Sequence, residues 1–337
     1  MWKSYLLMIS VLVVSGCASS DNQQAEFDKS LYSGKPIEAL TNDEPPKTEE
    51  EAISRGDAAL TNNNVDLALY EYLRSMTFAD AKHKDKTLYT VGRIHLAKND
   101  YQLADRAFRA ALEQNPNHTG SLEELGKLNT KQGRSDIGES YYLRAINADQ
   151  LRLGGTPNMK SNNINSENVQ NLLFDDNSPI HAYIGLGVLL DIEGQHQLAQ
   201  TLLNRALDIK TFDVNALISI GYSYYMSEDY ERARYYTNLA LKQKPNDEKA
   251  INNLALIAIA HGEPRQALSI FNRHMTEPEA LNSVGYFLIL KGEPDEAIPY
   301  LQQAINKSPA YYAKANENLE RALEMIRKER DTSKVTL

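Results

Sequence analysis

The sequence predicts an all-α fold in which pairs of antiparallel helices stack into a solenoid. Two observations support this prediction: apolar residues recur at three- and four-residue spacing, and small residues return at an interval of about 34 residues. In residues 85–118, Leu88 and Val91 give a first helix an apolar stripe, and Phe108 lies on the stripe of a second. Pro116 cannot continue the second helix, so it marks the end of one unit.

Small residues locate the helix crossings within each unit. Gly92 and Ala104 lie where the two helices of residues 85–118 cross, because side chains of that size permit close backbone approach. The same slots recur on first helices at Gly126, Gly187, Gly221 and Gly285, and on second helices at Ala199, Ala233, Ala267 and Ala297. Seven units follow, at residues 49–84, 85–118, 119–152, 180–213, 214–247, 248–277 and 278–311. The third unit departs most from the pattern, since Gly138 fills its second slot and Gln150 stands where a proline is expected.

These offsets resemble those of the tetratricopeptide repeat, a helix-turn-helix unit of about 34 residues. The resemblance implies a right-handed superhelical solenoid of about seven units, whose first helices line a concave groove for protein partners. After the seventh unit, residues 312–330 are predicted to form a C-terminal capping helix, because their outer side is charged. Residues 331–337 are predicted to fray.

The candidate groove residues are asparagines, aromatic residues and cations on the predicted first helices. Asparagine inside a helix costs about half a kcal/mol relative to alanine. The resemblance implies that such amides pair with an extended peptide backbone; the alternative is that they are solvated side chains on a concave wall. The candidates are Tyr89, Arg93, Asn215, Tyr222, Tyr225, Lys249, Asn252, Asn282 and Tyr286. Apolar residues predicted on the same face are Ile218, Leu256, Ile259 and Ile289, and Arg205 and Arg232 are predicted on the convex face.

The first residues carry signals for export and lipid attachment. The apolar run over residues 5–14 is too short for a stable transmembrane helix and is typical of a secretory signal. Cys17 is the only cysteine, and Val14-Ser15-Gly16-Cys17 resembles the bacterial lipobox. That resemblance implies that residues 1–17 are a lipoprotein signal peptide with its lipobox and that Cys17 is acylated, for example with palmitate. Ala18, which is not Asp, implies an outer-membrane anchor facing the periplasm of a Gram-negative bacterium.

Two segments show no repeat pattern. Residues 18–48 are polar, contain three prolines and lack sustained periodicity, which predicts a disordered tether. Residues 153–179 interrupt the register and are predicted to hold one short helix from Ser166 to Phe174, with Ser166 as its N-cap. This insertion is a lid, a loop for a partner or a hinge between two halves, or else an ordinary tolerated insertion.

Composition and motifs argue against catalysis. The net charge of −9 and the pI of about 5.4 disfavour nucleic-acid binding. The seven histidines do not fall at metal-ligand spacing, and no phosphate loop or nucleophile motif is present in the sequence. His95 occupies a core slot, so packing is its expected role. We therefore expect no enzymatic activity, metal, cofactor or small-molecule substrate.

The whole layout resembles the repeat lipoproteins of the tight-adherence (Flp-type) pilus assembly system. The segments that carry this resemblance are Ala280-Leu281-Asn282-Ser283-Val284-Gly285-Tyr286 and Ala315-Asn316-Glu317-Asn318-Leu319. It implies a scaffold that binds the pilus secretin and other secretion components. Two alternatives stay open: a pilotin that assists a type IV secretin, and an adaptor for peptidoglycan hydrolases.

Overall fold

The computed structural model describes residues 29–36, 39–41 and 43–335, with side chains through Glu329, and it confirms the all-α prediction. The described residues form sixteen α-helices and no strands. The first helices of the seven units are α1 (Glu49–Thr61), α3 (Lys84–Ala97), α5 (Thr119–Lys131), α8 (Ile180–Ile192), α10 (Val214–Met226), α12 (Glu248–Ala260) and α14 (Glu277–Lys291). Their partners are α2 (Val65–Ser75), α4 (Tyr101–Gln114), α6 (Ser135–Arg152), α9 (His196–Ile209), α11 (Tyr230–Gln243), α13 (Pro264–Phe271) and α15 (Pro294–Lys307). The short α7 (Ser166–Gln170) lies in the insertion, and α16 (Ala313–Val335) follows the last unit.

The two helices of a unit can approach closely because the first helix carries a glycine at the crossing. In each case a side chain of the second helix occupies the space that a Cβ would need. A Cβ on Gly92 would lie 2.5 Å from Cε1 of Phe108, and one on Gly221 would lie 2.7 Å from Oγ1 of Thr237. Gly126, Gly187 and Gly285 face Tyr142, Leu203 and Leu301 in the same way. The small residues of the second helices are fully buried at Ala104, Ala199, Ala233, Ala267 and Ala297. The solenoid therefore depends on glycine at positions that repeat with the unit.

The turn inside each unit uses a residue with positive φ. In the last unit this residue is Gly292, with φ 85°, and Pro294 then opens α15 at a position that needs no N–H. In the fifth unit the equivalent residue is Glu228, with φ 62°. Because this conformation brings Cβ close to the backbone, Glu228 is strained where glycine would not be.

The insertion is packed into the solenoid by amides on α6. The Gln150 side chain bonds both backbone groups of Leu173, at 3.0 Å to its N–H and 2.9 Å to its carbonyl oxygen. Asn147 bonds Met159 in the same two-point manner, at 2.9 and 2.8 Å. The buried aliphatic and methionine side chains of the insertion are Met159, Val169 and Leu172. With no proline at position 150, α6 continues to Arg152 and supplies these contacts.

The predicted helix of the insertion is wrong in its bounds. Helix α7 ends at Gln170 and not at Phe174, because the chain beyond it is held extended against Gln150. Its N-cap is Asn165 and not Ser166: the Asn165 side chain accepts a hydrogen bond of 2.9 Å from the Asn168 N–H.

Two terminal predictions also need correction. Residues 29–36, assigned to a disordered tether, lie against the first two units, and Leu31 among them is 2% exposed. Residues 331–335 were predicted to fray, but α16 runs through Val335. Residues 29–36 lie against the solenoid because Leu31 is buried and its carbonyl oxygen bonds to the buried His95. Residues 331–335 contain no residue that ends a helix, so α16 continues through them. The predicted lipobox with Cys17 lies outside the described residues.

Candidate partner-binding groove

Two adjoining cavities lie along the first helices of units four to seven and α16. The central cavity, of about 590 Å³, is formed chiefly by α8, α10 and α12. The C-terminal cavity, of about 470 Å³, is formed chiefly by α12, α14 and α16. Asn252 lines both. Predicted groove residues on the central cavity are Asn215, Ile218, Tyr222, Lys249 and Asn252, and those on the C-terminal cavity are Asn252, Asn282 and Tyr286.

Three polar side chains on the central cavity are available to a ligand. Asn215 and Lys249 are exposed, and Asn252 is half-buried. Among the described residues, neither amide group nor the Lys249 ammonium group has a hydrogen-bond or ion-pair partner. Two amides and one cation are therefore free to bind the backbone and a carboxylate of a protein segment.

The apolar floor of the central cavity is set by α8 and α10. Ile184 and Ile218 are almost fully buried there, whereas Tyr222 keeps 39% of its surface exposed. A Cβ on Gly185 would lie 2.5 Å from Cε2 of Tyr142, so glycine lets that ring form part of the floor. The cavity thus offers an apolar floor beneath a polar rim.

The charged side chains that line the central cavity differ in whether they already have a partner. Lys127 pairs with Glu124 at 3.2 Å. Asp191 accepts from Ser223 at 2.8 Å and lies 2.6 Å from Nδ1 of His196. The negative charge of Asp191 is therefore already engaged, and Lys249 is left without a counterion in the described residues.

A half-buried carboxyl group holds the start of α8 beside this cavity. Pro179 precedes the helix and offers no capping side chain. Glu123 of α5 takes that role, since its Oε1 accepts a hydrogen bond of 3.0 Å from the Ala182 N–H. Burial raises the pKa of Glu123 to about 7, in spite of the lowering effect of Lys127 and of the backbone hydrogen bonds.

The tyrosines differ in what they offer a partner. Tyr222 and Tyr286 have 39% and 37% of their surfaces exposed. Tyr225 is half-buried, with its ring 5.7 Å from Tyr222 and 6.2 Å from Tyr230, and it lines neither cavity. Tyr222 and Tyr286 can therefore contact a ligand, whereas Tyr225 supports Tyr222 from behind.

Several predicted groove residues have other roles. Asn282 is 9% exposed and accepts a hydrogen bond of 2.9 Å from Asn318, so it holds α16 in place and is not a free amide. Ile259 and Ile289 are 1% and 2% exposed in the core, because they face the second helices. Leu256 is half-buried.

Tyr89 and Arg93 lie apart from the two cavities. Arg93 donates a hydrogen bond of 3.0 Å to the Tyr89 hydroxyl, and the Tyr89 ring lies 5.1 Å from His118 and 5.8 Å from Phe108. These contacts join the second and third units. The structure therefore does not bring Tyr89 and Arg93 together with the other candidates.

Beside the predicted Tyr222, Leu256 and Tyr286, the sequence-based prediction left out Val188, which occupies the equivalent position in the fourth unit and lines the central cavity. It also left out Ile192, Met226 and Leu290, which lie one turn further along these helices and are exposed by 77%, 43% and 51%. The repeat interval itself was the signal that could have found them. Asn253 was also missed; it lines the central cavity and donates to the Ile218 carbonyl at 3.3 Å.

The two arginines that are predicted on the convex face, Arg205 and Arg232, make different contacts. Arg232 is 61% exposed and pairs with Asp229 in its own helix turn. Arg205 donates to the Val169 and Gln170 carbonyls at 3.2 and 2.7 Å, and its guanidinium lies over the Phe174 ring. Arg205 therefore holds the insertion, whereas Arg232 contacts its own helix turn and Tyr224.

Within the described residues, no group of three or more His, Cys, Asp or Glu side chains is placed to hold a metal ion. No helix in that part of the chain is long and apolar enough to cross a membrane.

Comparisons with known proteins bear on the fold. A tetratricopeptide-repeat model matches residues 85–118, which are the predicted second unit, and a model described as AimR transcriptional regulator-like matches residues 182–313. A comparison with curated proteins gave no match. A tetratricopeptide repeat protein from Parabacteroides merdae ATCC 43184 is 16% identical, with a TM-score of 0.53 over 82% of this chain and 100% of the other.

Two other solved structures are similar to this chain over most of its length. The APC/C hetero-tetramer Cut9-Hcn1 is 18% identical, with a TM-score of 0.51 over 82% of this chain and 53% of the other. The type IV pilus biogenesis factor PilW is 14% identical, with a TM-score of 0.46 over 82% of this chain and all of the other. By its helix pairs, its crossing glycines and the match at residues 85–118, the chain has the fold of a tetratricopeptide-repeat solenoid.

Proposed function

We propose that the chain is a lipid-anchored, non-enzymatic scaffold of the outer membrane that captures a segment of a protein partner in the groove of units four to seven. The observation that carries this proposal is the central cavity, where three unpartnered polar side chains surround an apolar floor. Repeat solenoids of this kind use such extended concave surfaces for binding. The lipid anchor rests on the lipobox at Cys17.

The geometry suits a segment with an apolar side chain next to an acidic one. The apolar side chain would enter between Ile184, Ile218 and Tyr222. The carboxylate would pair with Lys249, the one rim cation without a counterion in the described residues. Asn252, which lines both cavities, is placed to pair with the backbone where the segment continues towards Tyr286.

The partner system that we propose is a pilus assembly apparatus of the tight-adherence type, in which the chain would act as a TadD-like lipoprotein beside the secretin. Support comes from the lipobox, the repeat layout and the two C-terminal segments named above. In this arrangement the chain holds an assembly component near the membrane and catalyses no reaction.

Photo-crosslinking in living cells tests both the surface and the partner. A photoreactive phenylalanine analogue at Tyr222 samples the groove, and the same analogue at Tyr235 is a matched control, because Tyr235 is 59% exposed on the second helix α11. We expect a secretin or another pilus component to be linked from position 222 and not from position 235. A crosslink from position 222 to the secretin of a type IV pilus system would favour the pilotin alternative. A crosslink to a peptidoglycan hydrolase would favour the adaptor alternative. Equal products from both positions would refute the groove.

A further inference from the structure

Residues 29–36, here called the clasp, are docked on the first two units through the buried Leu31, with Tyr32 partly buried against the same core. Leu31 is 2% exposed, and its carbonyl oxygen lies 2.9 Å from Nε2 of His95. His95 is fully buried in the core slot of α3. A neutral imidazole with its proton on Nε2 donates this hydrogen bond.

The other contacts of the clasp lie at the surface. Arg106 donates to the Ser30 carbonyl at 3.1 Å, and the Lys35 N–H donates to Asp66 at 3.2 Å. Lys98 lies 3.3 Å from the Ser33 carbonyl. Exposed polar contacts of this kind compete with water and contribute little. Docking therefore depends mainly on the burial of Leu31, on the partial burial of Tyr32 and on the hydrogen bond from His95.

The second ring nitrogen of His95 makes protonation unfavourable in the docked state. Nδ1 is buried and has no hydrogen-bond partner among the residues that the structure describes. A proton added there would place an N–H and a positive charge in the core without an acceptor. Burial lowers the pKa of His95, against the raising effects of the Leu31 carbonyl and Asp100, and Lys98 lowers it further. Charged groups around this contact are Asp100, Lys98, Arg106, Asp66 and Lys35.

We propose that low pH releases the clasp. Protonation of His95 undocks residues 29–36 and lengthens the free chain between the anchor and the solenoid. With the clasp docked, eleven residues, 18–28, separate Cys17 from it. Whatever their conformation, they span at most about 40 Å. With the clasp free and Leu40 still packed against the first two units, the span covers residues 18–39 and its limit rises to about 80 Å. This change of reach rests on the proposed acylation of Cys17, whereas acid release does not.

The sign and size of the effect follow from proton linkage. The docked state has a His95 pKa below the ordinary value of about 6.5, so it binds fewer protons than the undocked state. Docking is therefore fully favoured above that value and weakens as the pH falls through it. Between pH 7.5 and 5.5, the ratio of docked to undocked clasp should fall by a factor that approaches tenfold.

Hydrogen–deuterium exchange of the full chain in detergent micelles tests acid release. Protection factors, corrected for intrinsic exchange, are measured at pH 7.5 and 5.5 for a peptide that covers the clasp. We expect protection to fall severalfold, towards tenfold, in the wild type and to stay constant in His95→Gln, which keeps a neutral donor. Leu31→Asp should show the undocked level at both pH values. If His95→Gln does not fold, His95→Phe replaces it as the variant that cannot titrate.

Two results would overturn acid release: wild-type protection that does not change with pH, or an equal fall in the variants without His95. The change of reach is tested separately, with acylation verified by mass spectrometry. A dye at Gln102→Cys, on the exposed face of α4, transfers energy to a headgroup dye in vesicles. Transfer should decrease from pH 7.5 to 5.5 in the wild type and not in His95→Gln. Constant transfer in acylated protein whose clasp is released would overturn the change of reach, while absence of acylation would count only against the proposed function.

Discussion

Truncation of Tyr222 should weaken partner binding without unfolding the chain. The Tyr222 ring is 39% exposed on the central cavity and contacts Tyr225 at 5.7 Å between ring centroids. Truncation of a tyrosine at the centre of an interface typically costs about 2 kcal/mol of binding free energy, which corresponds to about a 30-fold increase in Kd. Because the ring is already part-exposed, Tyr222→Ala should lower the free energy of unfolding by much less than truncation of a core residue does.

The matched control is Tyr235→Ala, since it makes the same substitution on the second helix α11. Tyr235 is 59% exposed and its ring lies 5.2 Å from that of Tyr236. Calorimetric titration of each variant with the partner segment gives Kd, and a thermal melt gives stability. We expect Tyr235→Ala to bind within about twofold of the wild type. Equal losses in both variants, or unchanged binding by Tyr222→Ala, would refute the account of the groove.

The remaining predictions concern packing, strain and anchoring. Gly221→Leu should lower the free energy of unfolding by about 1–3 kcal/mol, because its Cβ would lie 2.7 Å from the buried Thr237 side chain; a denaturant melt identical to that of the wild type would show that this crossing is not tight. Glu228→Gly should raise the free energy of unfolding by about 1 kcal/mol through relief of the left-handed strain, with a lower melting temperature as the contrary result. Cys17→Ser should abolish palmitate incorporation, and label retained by that variant would place the lipid elsewhere.

The repeating part of the fold could be predicted because each unit constrains the same few positions. Positions 92 and 221 require glycine, because a side chain of the second helix lies directly opposite each of them. That requirement is local in sequence and recurs at a fixed interval, so one unit identifies the others. The same interval aligned Asn215, Tyr222 and Asn252 on one face.

The parts that could not be predicted depend on contacts between distant or unlike segments. Asn282 is equivalent to Asn252 by spacing, but only Asn282 is followed by a capping helix, whose Asn318 reaches it. The clasp has no periodicity, and it docks because one leucine meets a buried histidine 64 residues away. A histidine in a core slot is the signal that a polar partner is needed, although the sequence does not show which segment supplies it.

A structure of the chain bound to its captured segment is the most direct test of the proposed groove. We predict that the segment lies across α8, α10 and α12, with an apolar side chain beside Tyr222 and its backbone within hydrogen-bond distance of the Asn252 amide. A carboxylate should lie next to Lys249. A segment bound instead to the second helices, or with no contact to the central cavity, would contradict the account.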